Sequence, residues 1–177
     1  SSDLAFTLEA IDGPEVALRM RVIVGRPYRP SPEFADRIRY LVLNPYWEVP
    51  PKLAAQDKLP LIRRDPAYLA REHLRVLRGW GQQARELDPA GIDWQRVQTP
   101  LPFRLRQDPG PWNALGQIKF MFPNSHDVYL HDTPSRELFA HAERGFSSGC
   151  IRVQQPLALA DWLLADDPQW PPDALRA

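Results

Sequence analysis

Twenty of the 177 residues are proline, and they fall in clusters. They crowd into 27–66, 89–111 and the tail Asp167-Pro168-Gln169-Trp170-Pro171-Pro172. Proline removes a backbone donor and biases the residue before it toward extended backbone, so no long helix fits across these stretches. They read as stiff, ordered surface connections wrapping a compact core. Without a run of P-x-x-P repeats they do not read as a docking ligand.

What is left for the core is short and alternating. Residues 4–25 predict a hairpin: Phe6 and Leu8 alternate with polar neighbours, Asp12-Gly13 turns, and Val16, Leu18, Met20, Val22 and Val24 alternate again. "RIRYLVLN" (37–44), "FRLRQ" (103–107), "GQIKFMF" (116–122), "DVYLHD" (127–132) and "CIRV" (150–153) are further strands of one sheet. "SRELFAHAE" (135–143) is a short helical piece. In 155–167, Leu157, Ala160, Leu163 and Leu164 recur at helical spacing. Between about 44 and 100 prolines cut the pattern into short pieces, which reads as an insertion carried on the sheet. The chain is long enough for one domain with a real core. The expected fold is mainly β with a few helices.

Charge excludes several classes of function. Lys and Arg total 22 and so do Asp and Glu. No net field draws the chain to nucleic acid or an anionic membrane, and the six tryptophans are not set in a basic stripe. No apolar run approaches the roughly 20 residues of a bilayer span. There is no P-loop or G-x-G-x-x-G. His126 and His131 point to opposite faces of a strand and lie outside any H-E-x-x-H pattern, so no metal or other cofactor is expected.

The single cysteine excludes an internal disulfide, and it sits in "FSSGCIRV" (146–153). A cysteine nucleophile needs a base, an oxyanion site and, preferably, nearby positive charge. If "CIRV" is a strand, Ile151 and Val153 face inward and Cys150 and Arg152 emerge together. In "VYLHD", Val128 and Leu130 belong to the core and Tyr129 and His131 to the open face. Were those strands neighbours, the imidazole could take the thiol proton, ahead of the other candidate bases His73, His126 and His141. Arg152 could favour thiolate or hold a substrate carboxylate. Gly149 permits a backbone angle other residues resist, and the N–H groups of Gly149 and Cys150 could face an oxyanion. Singly, each of these residues has a structural alternative; their joint placement is what favours chemistry.

"YLHDTP" followed by "SSGCIRV", with His131 and Cys150 19 positions apart, resembles the active-site signature of the L,D-transpeptidases with the YkuD-type catalytic domain. "RVIVGRP", "NPYWEVPPKLA" and "LPFRLRQDPGPWNALGQIKF" extend the likeness over roughly 16–165, toward the capped subgroup of Gram-negative periplasmic enzymes. The resemblance implies a β-sandwich-like catalytic domain over 1–177, with an inserted cap at about 44–100 and a proline-rich tail at 167–177 that has no counterpart. It assigns Cys150 as nucleophile, His131 as general base and acid, and the backbone of Ser148, Gly149 and Cys150 as the oxyanion site. Asp132 stands where many members have glycine and is a candidate to orient the imidazole. Ser148 stands where many have histidine.

The activity so implied is acyl transfer from a peptidoglycan stem peptide, through a Cys150 thioester, to the side-chain amine of a diaminopimelate on a second stem. The product is a cross-link, 3-3 or 1-3, serving cell-wall biogenesis and cell shape. Arg152, Tyr129, Trp47 and Trp80 are the expected substrate contacts, and carbapenem-type inhibitors are expected to acylate Cys150. Export to the periplasm is implied, with the targeting segment absent from the sequence. Larger relatives carry an amino-terminal region and a peptidoglycan-binding module. Water as acceptor would give a carboxypeptidase, and the same thioester chemistry run in reverse would release a wall-bound protein. A non-catalytic wall-binding module is the alternative of another class.

Overall fold

Alternation at the amino end produces the hairpin expected from it. In the computed structural model, which describes residues 6–170 and Ala174, β1 (Thr7–Asp12) pairs antiparallel with β2 (Glu15–Gly25) through a turn at Gly13-Pro14, one residue later than expected. Leu4, Ala5 and most of the proline-rich tail lie outside the described residues. β3 (Tyr40–Leu43) follows. The chain then enters a second compact unit, Tyr46–Ala114, before returning to the first at Leu115.

The second unit contains β4 (Trp47–Glu48), α1 (Pro51–Leu53), a π turn at Ala54–Lys58, α2 (Leu59–Arg64) and α3 (Tyr68–Arg71). β5 (Leu74–Arg78), β6 (Arg85–Leu87) and β7 (Arg104–Gln107) complete it. Pro51 begins α1, where a missing N–H costs nothing, while Pro60 follows the π turn inside the continuous helical run 51–64. The sheet runs β4-β7-β5-β6, with Leu59, Ile62, Leu69, Val76 and Leu105 buried in the unit. "FRLRQ" thus does not rejoin the first sheet. As β7 it lies between β4 and β5, and buried Gln107 donates to the Glu72 carbonyl and accepts from the Ala114 N–H.

Back in the first unit come β8 (Ile118–Met121), β9 (Leu130–His131), β10 (Gly145–Ser147), β11 (Ile151–Val153) and α4 (Pro156–Leu163). Strand order is β1-β2-β11-β9-β8-β3, with β10 also on β2. β9 is shorter than "DVYLHD" because Asn124 folds 124–128 into a turn, accepting from the His126 N–H and donating to the Val128 carbonyl. "SRELFAHAE" forms a 3-10 turn at Arg136–Ala140. The core is the inward set of each strand against α4: Met20, Val22, Ile118, Phe120, Val153, Leu159 and Ala160, flanked by Leu18, Val24, Leu130 and Ile151. Each such large side chain contributes about 1.5–3 kcal/mol relative to exposure. Burying this face leaves the opposite face of the same strands to carry polar groups.

Candidate active site

β11 pairs in parallel with β9, setting Ile151 opposite Leu130 and Arg152 opposite His131. β8 pairs antiparallel on the other edge of β9, setting Lys119 opposite His131. Directly paired residues share a face, so Lys119, His131 and Arg152 form one row across three strands, on the side away from Phe120, Leu130 and Ile151. Two residues back along the chain from His131 and Arg152 are Tyr129 and Cys150: the Tyr129 carbonyl accepts the Ile151 N–H, and its hydroxyl hydrogen-bonds the Cys150 thiol. The Tyr129 ring meets the His131 ring edge-on at 5.6 Å, and the Lys119 ammonium lies 3.8 Å from its centroid. His131 Nδ1 donates to the main-chain carbonyl of Asp132 at 2.5 Å, which leaves Nε2 as the basic nitrogen.

The cysteine loop straps the end of β2. On one edge of β2 the Val24 N–H reaches the Arg144 carbonyl and the Arg26 N–H reaches Ser147, joining β10; on the other, Arg152 and Val153 pair with Ile23 and Val22. Ser148, Gly149 and Cys150 cross between. Gly149 has φ +122°, while a Cβ there would meet only Val128 at 3.7 Å and Pro30 at 3.8 Å, so the backbone angle rather than space demands glycine. The Ser147 hydroxyl accepts from the Gly149 N–H (3.1 Å) and donates to the Cys150 carbonyl (2.5 Å). Ser31 Oγ donates to the Gly149 carbonyl at 2.7 Å, and Arg29 Nη1 donates to Ser148 Oγ at 3.2 Å.

A family model described as the YkuD L,D-transpeptidase catalytic domain matches residues 3–169. The chain belongs to the YkuD family. A protein of Haemophilus influenzae named "Putative L,D-transpeptidase" is 38% identical over 162 residues, which is 92% of this chain and 32% of that protein. The chain therefore spans about a third of the length of this curated relative. No helix among the described residues of the YkuD domain is long and apolar enough to cross a membrane.

In the resting YkuD domain both partners of the site are neutral. Burial pushes the Cys150 thiol up, against hydrogen bonds from Tyr129 and the charges of Lys119 and Arg152, which pull it down. Burial, with Arg152 and Lys119 beside it, pushes His131 down to about 3, opposed by its hydrogen bond to Asp132. The neighbouring cations do not outweigh burial at the sulfur, so Cys150 is held as a thiol and His131 as a neutral imidazole, rather than as thiolate and imidazolium. Titrating Cys150 with iodoacetamide across pH is expected to give an inflection above the ordinary thiol value of about 8.5. An inflection below it would mean that a stabilised thiolate is present at rest.

Among the expected substrate contacts, Arg152 is half-buried, and its Nε is buried without a hydrogen-bond partner. The Tyr129 phenol is taken up by the thiol. Trp47 is buried, with the Lys58 ammonium 5.5 Å from its ring. Trp80 is 70% exposed, with the Arg104 guanidinium 4.2 Å from its ring. Among the other histidines, His73 stacks on Trp112, His126 leans on Phe34 and His141 meets Phe146 edge-on. The Asp132 carboxylate accepts from the Gln117 N–H and from Arg136, so its carbonyl and not its side chain meets the imidazole. Likewise the Gly149 N–H, expected at the oxyanion, is engaged by Ser147. Lys119, Ser31 and Ser147 were not singled out from sequence. Only Lys119 carried a signal, since Ile118 and Phe120 alternate inward on either side of it.

Proposed function

We propose that this YkuD domain is a cysteine-dependent peptidoglycan L,D-transpeptidase, working outside the cytoplasmic membrane, with Cys150 as nucleophile and His131 as general base and acid. The observation that carries this is the parallel pairing of β11 with β9, which brings Cys150 against Tyr129 and Arg152 opposite His131.

The chemistry follows from a neutral pair. As Cys150 Sγ attacks the carbonyl carbon of a diaminopimelate in the donor stem, its proton passes to His131 Nε2. The tetrahedral oxyanion accepts from the main chain of the cysteine loop. A protonated His131 sits beside Arg152 and Lys119 and away from water, so it is a strong acid. It returns its proton to the departing D-alanine nitrogen as the C–N bond breaks. The thioester conserves the acyl activation, and the amine of a second stem attacks it with His131 again as base. The Arg152 guanidinium, with its planar fork of donors, suits the carboxylate of the donor stem. The Tyr46–Ala114 unit contains most of the stretch expected to form the cap.

Incubating the protein with disaccharide-tetrapeptides containing diaminopimelate tests this, with products read by mass spectrometry. A dimer lacking one terminal D-alanine is the expected product of a position-three donor, whereas a dimer lacking everything beyond the first residue of one stem would make position one the donor. Trimmed monomer alone would make water the acceptor. Binding without any product would overturn the enzymatic reading in favour of a wall-binding module.

A further inference from the structure

The nucleophile loop is held by a hydroxyl from a segment far away in sequence. We propose that Ser31 is the positioning residue that aims the Cys150 N–H at the developing oxyanion, an inference that rests on the acyl-transfer function proposed above. Ser31 Oγ accepts from the Gly25 N–H at 3.0 Å and donates to the Gly149 carbonyl at 2.7 Å. Its own proton therefore has one direction to go. The peptide it grips joins Gly149 to Cys150 and is trans; the only cis bond among the described residues is Thr99–Pro100. In a planar trans peptide the N–H points opposite to the C=O. Fixing the Gly149 oxygen on Ser31 thus fixes the Cys150 N–H on the other side.

This constraint is needed because of what surrounds it. At φ +122° Gly149 has a freedom that no other residue type would leave at that position. Its own N–H is occupied by Ser147, so the adjoining Cys150 amide is the donor whose direction matters. Ser31 in turn has no slack. A Cβ on Gly25 would come within 2.2 Å of the Arg29 carbonyl oxygen and 2.6 Å of the Ser31 nitrogen, so the 29–31 backbone lies directly on the strand it bonds to. The geometry runs from a bare backbone at Gly25, through one hydroxyl, to the peptide that precedes the nucleophile.

The chemistry provides a test that separates this role from a general one. Attack on a carbonyl forms the C–S bond as the C=O π pair moves onto oxygen, and that charge needs the aimed N–H. Alkylation by iodoacetamide forms a C–S bond as iodide leaves, and no oxyanion develops. Ser31→Ala, Ser31→Thr and Gly25→Ala would be compared with the unaltered chain. Acylation by a carbapenem would be followed by intact mass, and iodoacetamide alkylation measured at the same pH. Ser31→Ala is expected to slow acylation by about 10- to 100-fold, less than the 100- to 1,000-fold typical of deleting a donor outright. Alkylation stays within about twofold, on the same grounds. Ser31→Thr, which keeps the hydroxyl, restores most of the acylation rate, and Gly25→Ala reproduces the defect. Unchanged acylation in Ser31→Ala would overturn the proposal, and so would acylation and alkylation falling together. An unaltered chain that is alkylated but never acylated would overturn the acyl-transfer function itself, and this role with it.

Discussion

Cys150→Ser is expected to abolish cross-linking and to leave a folded domain. The loss is on the order of 10⁴-fold or more, as for other nucleophiles that act as a unit with their base. Serine is close to cysteine in shape, and its oxygen still offers the Tyr129 hydroxyl an acceptor in place of sulfur. Its proton is far harder to remove, however, and a neutral imidazole that is itself a weak base cannot make up the difference. Product chromatography on disaccharide-tetrapeptides, with a thermal melt beside it, checks both halves. Turnover retained in a folded Cys150→Ser protein would remove Cys150 from the mechanism.

His131→Ala is expected to lower the rate by about 10²- to 10⁴-fold, the usual contribution of a positioned acid–base group. Its pH behaviour is the sharper test. With His131 pushed down to about 3, the imidazole is already unprotonated throughout the neutral range, so kcat/KM of the unaltered protein is expected to show no inflection near 6.5. Stability carries the same signature with a definite sign. The folded value lies below the unfolded one, so the unfolded chain binds the extra proton. Stability is complete above about 6.5 and is lost as pH falls toward about 3. His131→Ala lacks that component and is expected to show a flatter acid limb in denaturant melts. A kcat/KM bend at 6.5, or acid limbs that coincide, would mean that the imidazole is open to water and not buried.

Alternation made much of this legible. Leu130 against His131, and Ile151 and Val153 against Cys150 and Arg152, are pairs whose faces follow from a period of two once each segment is a strand. The same period could not say which sheet a strand joins. "FRLRQ" alternates as well as "GQIKFMF" does, yet it is committed to the Tyr46–Ala114 sheet by its partners β4 and β5. Contacts between distant segments were silent for the same reason. Nothing near Ser31 points to Gly149, 118 positions on, because their bond depends on where the turn after β2 lands. The charge state of the thiol was also out of reach: cations nearby argue for thiolate, and only three-dimensional burial shows that desolvation outweighs them. The burial of Trp47 was equally out of reach, because it depends on packing within the Tyr46–Ala114 unit.

The strap of Ser148, Gly149 and Cys150 over the end of β2 has a dynamic consequence. Its two ends hold opposite edges of one strand, and that strand is also the partner of β1. The loop has no private hinge: to swing away it must strip β2 from its neighbours, which amounts to unravelling the sheet. Fluctuations that loosen most surface loops on their own are therefore coupled, at this loop, to cooperative unfolding of the unit. Cys150 keeps its place for as long as the sheet exists.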